Sequence, residues 1–271
     1  MLAVFLFDGD VSASASDYLA QAEAAFAEGV SLRNDSVKAR QAFAKAAAAY
    51  DALWHAGYHS PALAINRARA HRLAGDLPRC LAALHSGLAV TPYSRPLQVE
   101  LEDARAAVQY PLDRELVQQA QPPPIRGWNS RVAPTDQWIA VGGLWLLLWL
   151  GVARFLMTRR MVWLLLSLLG TAALIVWGLL WWYDVQRFHH DHSRPLLIVT
   201  HETLLRRGNA VVYPPRWEVV LPRGTEVREL TRRGGWVQVQ LAGGAVGWLP
   251  EGAIVAVEPE RRPLNARHAA E

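Results

Sequence analysis

Two apolar runs, IAVGGLWLLLWLGVARFLM (residues 139–157) and MVWLLLSLLGTAALIVWGLLWWY (residues 161–183), decide the architecture of this chain. Only Thr158, Arg159 and Arg160 separate them. At about 1.5 Å rise per helical residue, each run is long enough to cross a hydrocarbon core of about 30 Å. We therefore predict a transmembrane hairpin with helices at 137–157 and 161–183 and a basic loop at 158–160. The alternative, two buried helices of a soluble core, would need flanking sequence large enough to wrap both.

Length and composition leave room for two small domains beside the hairpin. Of the 271 residues, 52% are hydrophobic and 19% are charged, which fits soluble domains joined to a membrane segment. The net charge of +4 forms no dense basic stripe, so we expect no nucleic-acid binding, although anionic membrane lipid is a suitable partner. The single cysteine, Cys80, excludes an internal disulfide and zinc-ribbon or CxxC chemistry.

The first sixteen residues have an apolar start followed by small residues. This pattern is similar to the tail of a secretory signal but lacks a basic segment before the apolar run. We predict a remnant of a signal segment at 1–16, with its true start upstream of Met1; the alternative is that there is no signal. The first helix is predicted to begin at Asp17.

Residues 17–110 are rich in alanine, with apolar residues at helical spacing. We predict that helices start at Asn34, Ser60 and Ser94 and that helices end at Gly57 and Gly75. The segment NRARAHRLAGDLPRCLAALHSGLAVTP (66–92) resembles the tetratricopeptide repeat, in which small residues occupy the helix crossing and proline closes the unit. We predict a tetratricopeptide-like domain, with a generic antiparallel helix bundle as the alternative. Arg67 departs from the repeat pattern, and we predict that Arg67 and His71 contact a partner.

Residues 111–136 contain several prolines and no periodicity, and they include a run of three prolines at 122–124. The run favours an extended polyproline conformation, so we predict a proline-rich linker. The alternative is a ligand for a proline-recognising domain.

The orientation of the hairpin follows from arginine placement. Arg154, Arg159 and Arg160 crowd the short loop, which predicts a cytoplasmic loop and outward-facing flanking domains. An aromatic belt on the outer side agrees with this orientation: Trp177, Trp181, Trp182 and Tyr183. The weak N-terminal signal keeps the reverse orientation open as an alternative.

The segment 184–195 is predicted as a juxtamembrane linker. It contains His189, His190, Asp191 and His192, which are residue types that bind Zn²⁺. Adjacent residues do not easily converge on one ion, so we favour a polar linker and expect no metal.

From Pro195 the apolar period becomes two. Strands are predicted at 196–200, 218–221, 226–230, 236–241, 245–249 and 254–257, separated by glycine-containing turns. The segments LLRRG, LPRGTEV, GWVQV and GWLP resemble those of a bacterial SH3 domain. We predict a small all-β SH3-like barrel at 196–258 and a disordered tail at 259–271. Candidate contact residues for a peptide or cell wall are Tyr213, Trp217, Trp236 and Trp248.

Taken together, this order of parts resembles the BatE family of the Bat (aerotolerance) group. The resemblance covers about residues 24–257. It implies a scaffold in the bacterial inner membrane that works beside von Willebrand A-domain membrane proteins, a BatD-like protein and a MoxR-type AAA+ ATPase. It also implies a role in the cell envelope.

We find no motif of a known catalytic or nucleotide-binding site. The sequence contains no GxGxxG after a strand, no GxxxxGK[ST], no HExxH and no GxSxG. We therefore expect a non-enzymatic scaffold without a cofactor, which binds protein partners through the helical repeats and the SH3-like domain. The alternative is a cell-envelope module whose SH3-like domain binds peptidoglycan or a peptide.

Overall fold

The computed structural model describes residues 9–123, 134–192 and 194–257. The chain divides into two compact units. The described residues of the first unit are 9–123 and 195–257, and those of the second are 134–192 and 194. The predicted disordered tail and the first eight residues of the predicted signal remnant lie outside the described residues.

Six helices make up the described N-terminal part of the first unit: α1 (Gly9–Ser31), α2 (Ser36–His55), α3 (Pro61–Leu73), α4 (Leu77–Val90), α5 (Arg95–Ala106) and α6 (Arg114–Ala120). Four of these helices have an N-cap side chain that accepts a hydrogen bond from the backbone N–H three residues later: Asp35, Ser60, Asp76 and Asp113. Gly57 and Gly75 follow helix ends with φ of 93° and 87°, a conformation that costs glycine little. The helical N-terminal part is confirmed, although α1 begins at Gly9 instead of Asp17.

Small residues allow these helices to pack closely. A Cβ atom on Gly87 of α4 would lie 2.6 Å from Cβ of Ala64 in α3 and 3.2 Å from Leu97 in α5. Gly29 of α1 lies equally close to the ring of Phe43 in α2. Helices α3 and α4 therefore cross at short distance, as the small residues of the repeat-like segment predict.

The second unit is a pair of helices, α7 (Pro134–Thr158) and α8 (Met161–His192). Both are long and apolar enough to cross a membrane, over Val141–Thr158 and Met161–Trp182. Their turn places Arg159 at φ 53°, and a Cβ on Gly151 would lie 2.6 Å from Ser167 Oγ. Helix α8 continues to His192, beyond the candidate span that ends at Trp182, so most of the segment predicted as a juxtamembrane linker at 184–195 is helical.

The C-terminal part is one antiparallel sheet of five strands: β1 (Leu196–Val199), β2 (Glu226–Arg233), β3 (Trp236–Leu241), β4 (Val246–Pro250) and β5 (Ile254–Ala256). The strand order is β4-β3-β2-β1-β5. Alternate residues of β3 are buried, as the period of two predicts. Residues 218–221, predicted as a strand, instead form a single bridge between Leu221 and Thr203.

We expect Gly87→Ala to destabilise the first unit by about 1–3 kcal/mol, because its methyl group would overlap Ala64. Gly252→Ala is the matched control, since no atom lies within 4 Å of the added Cβ. Chemical unfolding of the detergent-solubilised full chain measures both. Equal stability of the two variants would contradict the close crossing.

Candidate functional site

Helix α6 belongs to the core of the sheet, although the sequence predicts a linker there. Leu116 and Ala120 are fully buried in the cluster that contains the inward-facing residues of β1 and β3. Gln119 accepts two backbone hydrogen bonds from the β3–β4 turn: its carbonyl oxygen from Gly243 N at 2.8 Å, and Oε1 from Ala245 N at 3.1 Å. This part of the predicted linker is thus a structural element of the C-terminal domain.

A buried carboxylate on β2 joins the sheet to two further helices. Glu226 is 6% exposed. Arg105 of α5 donates from Nε to Oε1 at 2.7 Å and from Nη2 to Oε2 at 2.6 Å, a bidentate arrangement. Nε2 of His85 on α4 lies 3.1 Å from Oε1, a contact that becomes an ion pair when the imidazole is protonated. We call these three residues the Glu226 cluster.

Two groups at this site have a shifted pKa: Glu226 itself and the nearby Tyr110. Burial would raise the pKa of Glu226, but His85 and Arg105 outweigh it and hold the pKa well below its ordinary value of 4.5. Burial, and then the charge of Glu226, raise the pKa of Tyr110 to about 12. Glu226 is therefore a buried carboxylate whose ionised form is stabilised by Arg105 and His85, two residues of the helices.

Apolar contacts also join the helices and the sheet at Gly224, two residues before Glu226. The turn before β2 holds Gly224 at φ 89°, where an added Cβ would lie 3.0 Å from Val108 and 3.3 Å from Leu81 of α4. Gly224 N also donates to Val199 O at 2.7 Å. The helices and the sheet therefore approach each other closely where the buried ion pair forms.

A second buried polar cluster lies between α2 and α3. Asp51 accepts from Nε of Arg67, and Nε2 of His71 lies 3.2 Å from the same carboxylate. Burial would raise the pKa of Asp51, but the hydrogen bond from His71 and the charge of Arg67 outweigh it and lower the pKa. Arg67 is 7% exposed and His71 is 4% exposed, so the structure places both predicted contact residues inside the helix stack.

The sheet presents an open groove of about 410 Å³. Trp236 and Pro250 line it together with Leu204, Val211 and Val220, and Glu202 and Arg206 provide its charged groups. Trp236 is half-buried, so one part of the indole remains available to a ligand. The groove brings together residues from both ends of the sheet domain and only one of the predicted contact residues.

The other predicted contact residues lie elsewhere. Trp217 is half-buried, packs against the sheet core and donates from Nε1 to Glu115 of α6 at 3.0 Å. Half-buried Trp248 exchanges two backbone hydrogen bonds with Arg206. Tyr213 is exposed at a loop beside the groove. Trp217 is thus an interface residue between α6 and the sheet.

The residues that set the predicted orientation lie at one end of the helix pair. Arg154, Arg159 and Arg160 are all exposed. The guanidinium carbon of Arg154 lies 5.5 Å from the ring centre of Trp163 in α8, a cation–π distance. This contact keeps the charge of Arg154 near the turn.

Two further features bear on chemistry. Cys80 is 2% exposed, and burial raises the pKa of its thiol to about 12, so it is unreactive at neutral pH. No group of three or more His, Cys, Asp or Glu residues is arranged to hold a metal ion among the residues that the structure describes.

No protein-family model, curated protein or solved structure matches the chain.

Replacing Arg105 with Leu should cost about 3–5 kcal/mol of unfolding free energy, because it removes the bidentate cation from a buried carboxylate. Arg232→Leu is the matched control. Arg232 also binds a glutamate, Glu229, through two nitrogens, but its side chain is 46% exposed against 18% for Arg105. We expect Arg232→Leu to lower the unfolding free energy by less than about 1 kcal/mol. Similar losses in both variants of the full chain would refute a special role for the buried pair.

The stability advantage of the native chain over Glu226→Gln should depend on pH. Because folding lowers the pKa of Glu226, its ionised form stabilises the fold fully above about pH 4.5, the ordinary value for the unfolded chain. The advantage is lost as pH falls below that value towards the folded-state pKa. Urea unfolding of both chains over this pH range measures the difference, and a difference that grows with acidification would contradict the assignment.

Proposed function

We propose that this chain is a non-enzymatic, membrane-anchored scaffold that binds protein partners. One observation carries the proposal: the segments before and after the two apolar helices form one compact unit, joined by the Glu226 cluster and by α6. The anchor thus carries a single body that combines a helix stack with an open groove on the sheet. Holding a partner at a membrane is the function that this combination supports best.

The groove that contains Trp236 is the contact surface that we propose for an extended peptide of the partner. Its lining is mostly apolar, with a half-buried indole, one carboxylate and one guanidinium, which is the mixture common in peptide-binding sites. Tetratricopeptide-like packing of the helices and an SH3-like identity of the sheet are part of this proposal. The close α3–α4 crossing supports the first, and the antiparallel sheet with short strands supports the second.

By resemblance to the BatE family, we further propose the partners and the location. The partners are von Willebrand A-domain membrane proteins, a BatD-like protein and a MoxR-type AAA+ ATPase system, and the location is the bacterial inner membrane. The exposed arginines at the helix turn support a cytoplasmic turn, with the large unit outside the cytoplasm.

Affinity capture with the tagged full-length chain from mild-detergent extracts of its source membrane tests this function. We expect stoichiometric protein partners that are lost with Trp236→Ala and with Val220→Asp, a variant at the exposed rim of the groove. Tyr93→Ala, an exposed aromatic residue outside the groove, should retain them. Capture that is unchanged in both groove variants would contradict the proposed surface.

Sedimentation of the same variants with purified cell wall separates the alternative function. The scaffold proposal predicts that the chain stays in the supernatant. Sedimentation that depends on Trp236 would instead assign the groove to peptidoglycan.

A further inference from the structure

One loop of the sheet domain exposes three consecutive apolar or aromatic side chains to solvent. Val211 is 72% exposed, Val212 is 86% exposed, and Tyr213 is 45% exposed, and these three consecutive residues form the tip of the loop between β1 and β2. We call this segment the 211–213 tip. Contiguous exposed apolar side chains, unlike single ones, are a feature of interaction surfaces.

The loop is held in one conformation by its own hydrogen bonds. Nη1 of Arg206 donates to the carbonyl oxygens of Val211 and Tyr213, at 2.9 and 2.8 Å. Arg207 N donates to Pro214 O at 3.1 Å. Gly208 lies so close to the Tyr213 ring that an added Cβ would approach it to 2.4 Å. The fold therefore presents the tip as a built, outward-facing feature, which reduces the entropy lost when it binds.

The charge around the tip is positive. Residues 203–217 contain three arginines, Arg206, Arg207 and Arg216, and no acidic residue, while Glu202 and Glu218 flank the segment. This arrangement is complementary to an anionic membrane surface: the apolar side chains of the tip suit the hydrocarbon, and the arginines at its base suit the lipid phosphates. Tyr213 is a residue type that favours the same interface.

The chain also brings a bilayer within reach. Only residues 193–195 separate His192, the last residue of α8, from Leu196, the first of β1. Four steps of about 3.8 Å limit the span between these two Cα atoms to about 15 Å. The candidate membrane span ends at Trp182, so the last ten residues of α8 add about 15 Å of helix to this connection. The sheet domain is thus tethered to a lipid surface by a short length of chain, which raises the local concentration of lipid.

We propose that the 211–213 tip inserts into the interface of the anionic membrane in which the chain is anchored. Val211 and Val212 enter the acyl boundary, Tyr213 lies at the level of the head groups, and the arginines contact lipid phosphate. Val211 and Arg206 also line the groove, whereas Val212 and Tyr213 do not, so residue 212 reports on the membrane contact separately from partner binding in the groove.

Depth-dependent fluorescence quenching tests the proposal on the full-length chain. Val212→Cys is labelled with an environment-sensitive fluorophore. The label reacts with the new thiol alone, because the native Cys80 is buried. The protein is reconstituted in vesicles of equimolar phosphatidylcholine and phosphatidylglycerol. Leu112→Cys is the matched control, an exposed apolar residue of the same unit before α6.

We expect a blue-shifted emission at residue 212 and quenching by head-group nitroxide lipid that is several-fold stronger than at residue 112. Adding Val211→Asp to Val212→Cys should abolish both effects, and replacing phosphatidylglycerol with phosphatidylcholine should reduce them. Iodide quenching at residue 212 equal to that at residue 112 would overturn the proposal. A label shielded from iodide but untouched by lipid nitroxide would also overturn it, in favour of a protein partner.

Discussion

A buried carboxylate needs cations, and this requirement links the two halves of the chain that flank the hairpin. Glu226 begins β2 in the C-terminal sheet, whereas Arg105 and His85 come from helices more than a hundred residues earlier. Leaving an ionised carboxylate buried without partners costs several kcal/mol, so the sheet domain is not complete without the helices. Leu116 and Ala120 of α6 also pack into the sheet core, so the sheet depends on the N-terminal helices for part of its core as well. Stability of the sheet and stability of the helix stack are therefore coupled.

This coupling constrains the topology of the two apolar helices. If the chain crosses a bilayer, the number of crossings must be even, because its two flanking segments pack on each other and therefore lie on one side. Two helices that are long enough to cross, α7 and α8, satisfy this condition.

Short-range patterns predict most of the fold, since helix caps, glycine stops and alternating apolar residues act over a few residues. The long apolar runs predict both α7 and α8 for the same reason. The site is less predictable because its partners are distant: no local pattern links Glu226 to Arg105, or Arg67 and His71 to Asp51. Helix α6 has seven residues, too few for a helical period to emerge, and it forms because the sheet buries Leu116. Glu226 is an acidic residue at the first position of a predicted strand, and this is the one local signal that could have indicated a buried ion pair.

Hydrogen exchange, resolved by peptide, tests the central claim that helices and sheet form one cooperative unit. It compares the full-length native chain in detergent with Glu226→Gln. One unit predicts similar opening free energies for the core amides of α4, α5, β1 and β2, and a common loss of protection in the variant. Loss of protection confined to the sheet, with α4 and α5 unchanged, would contradict the account.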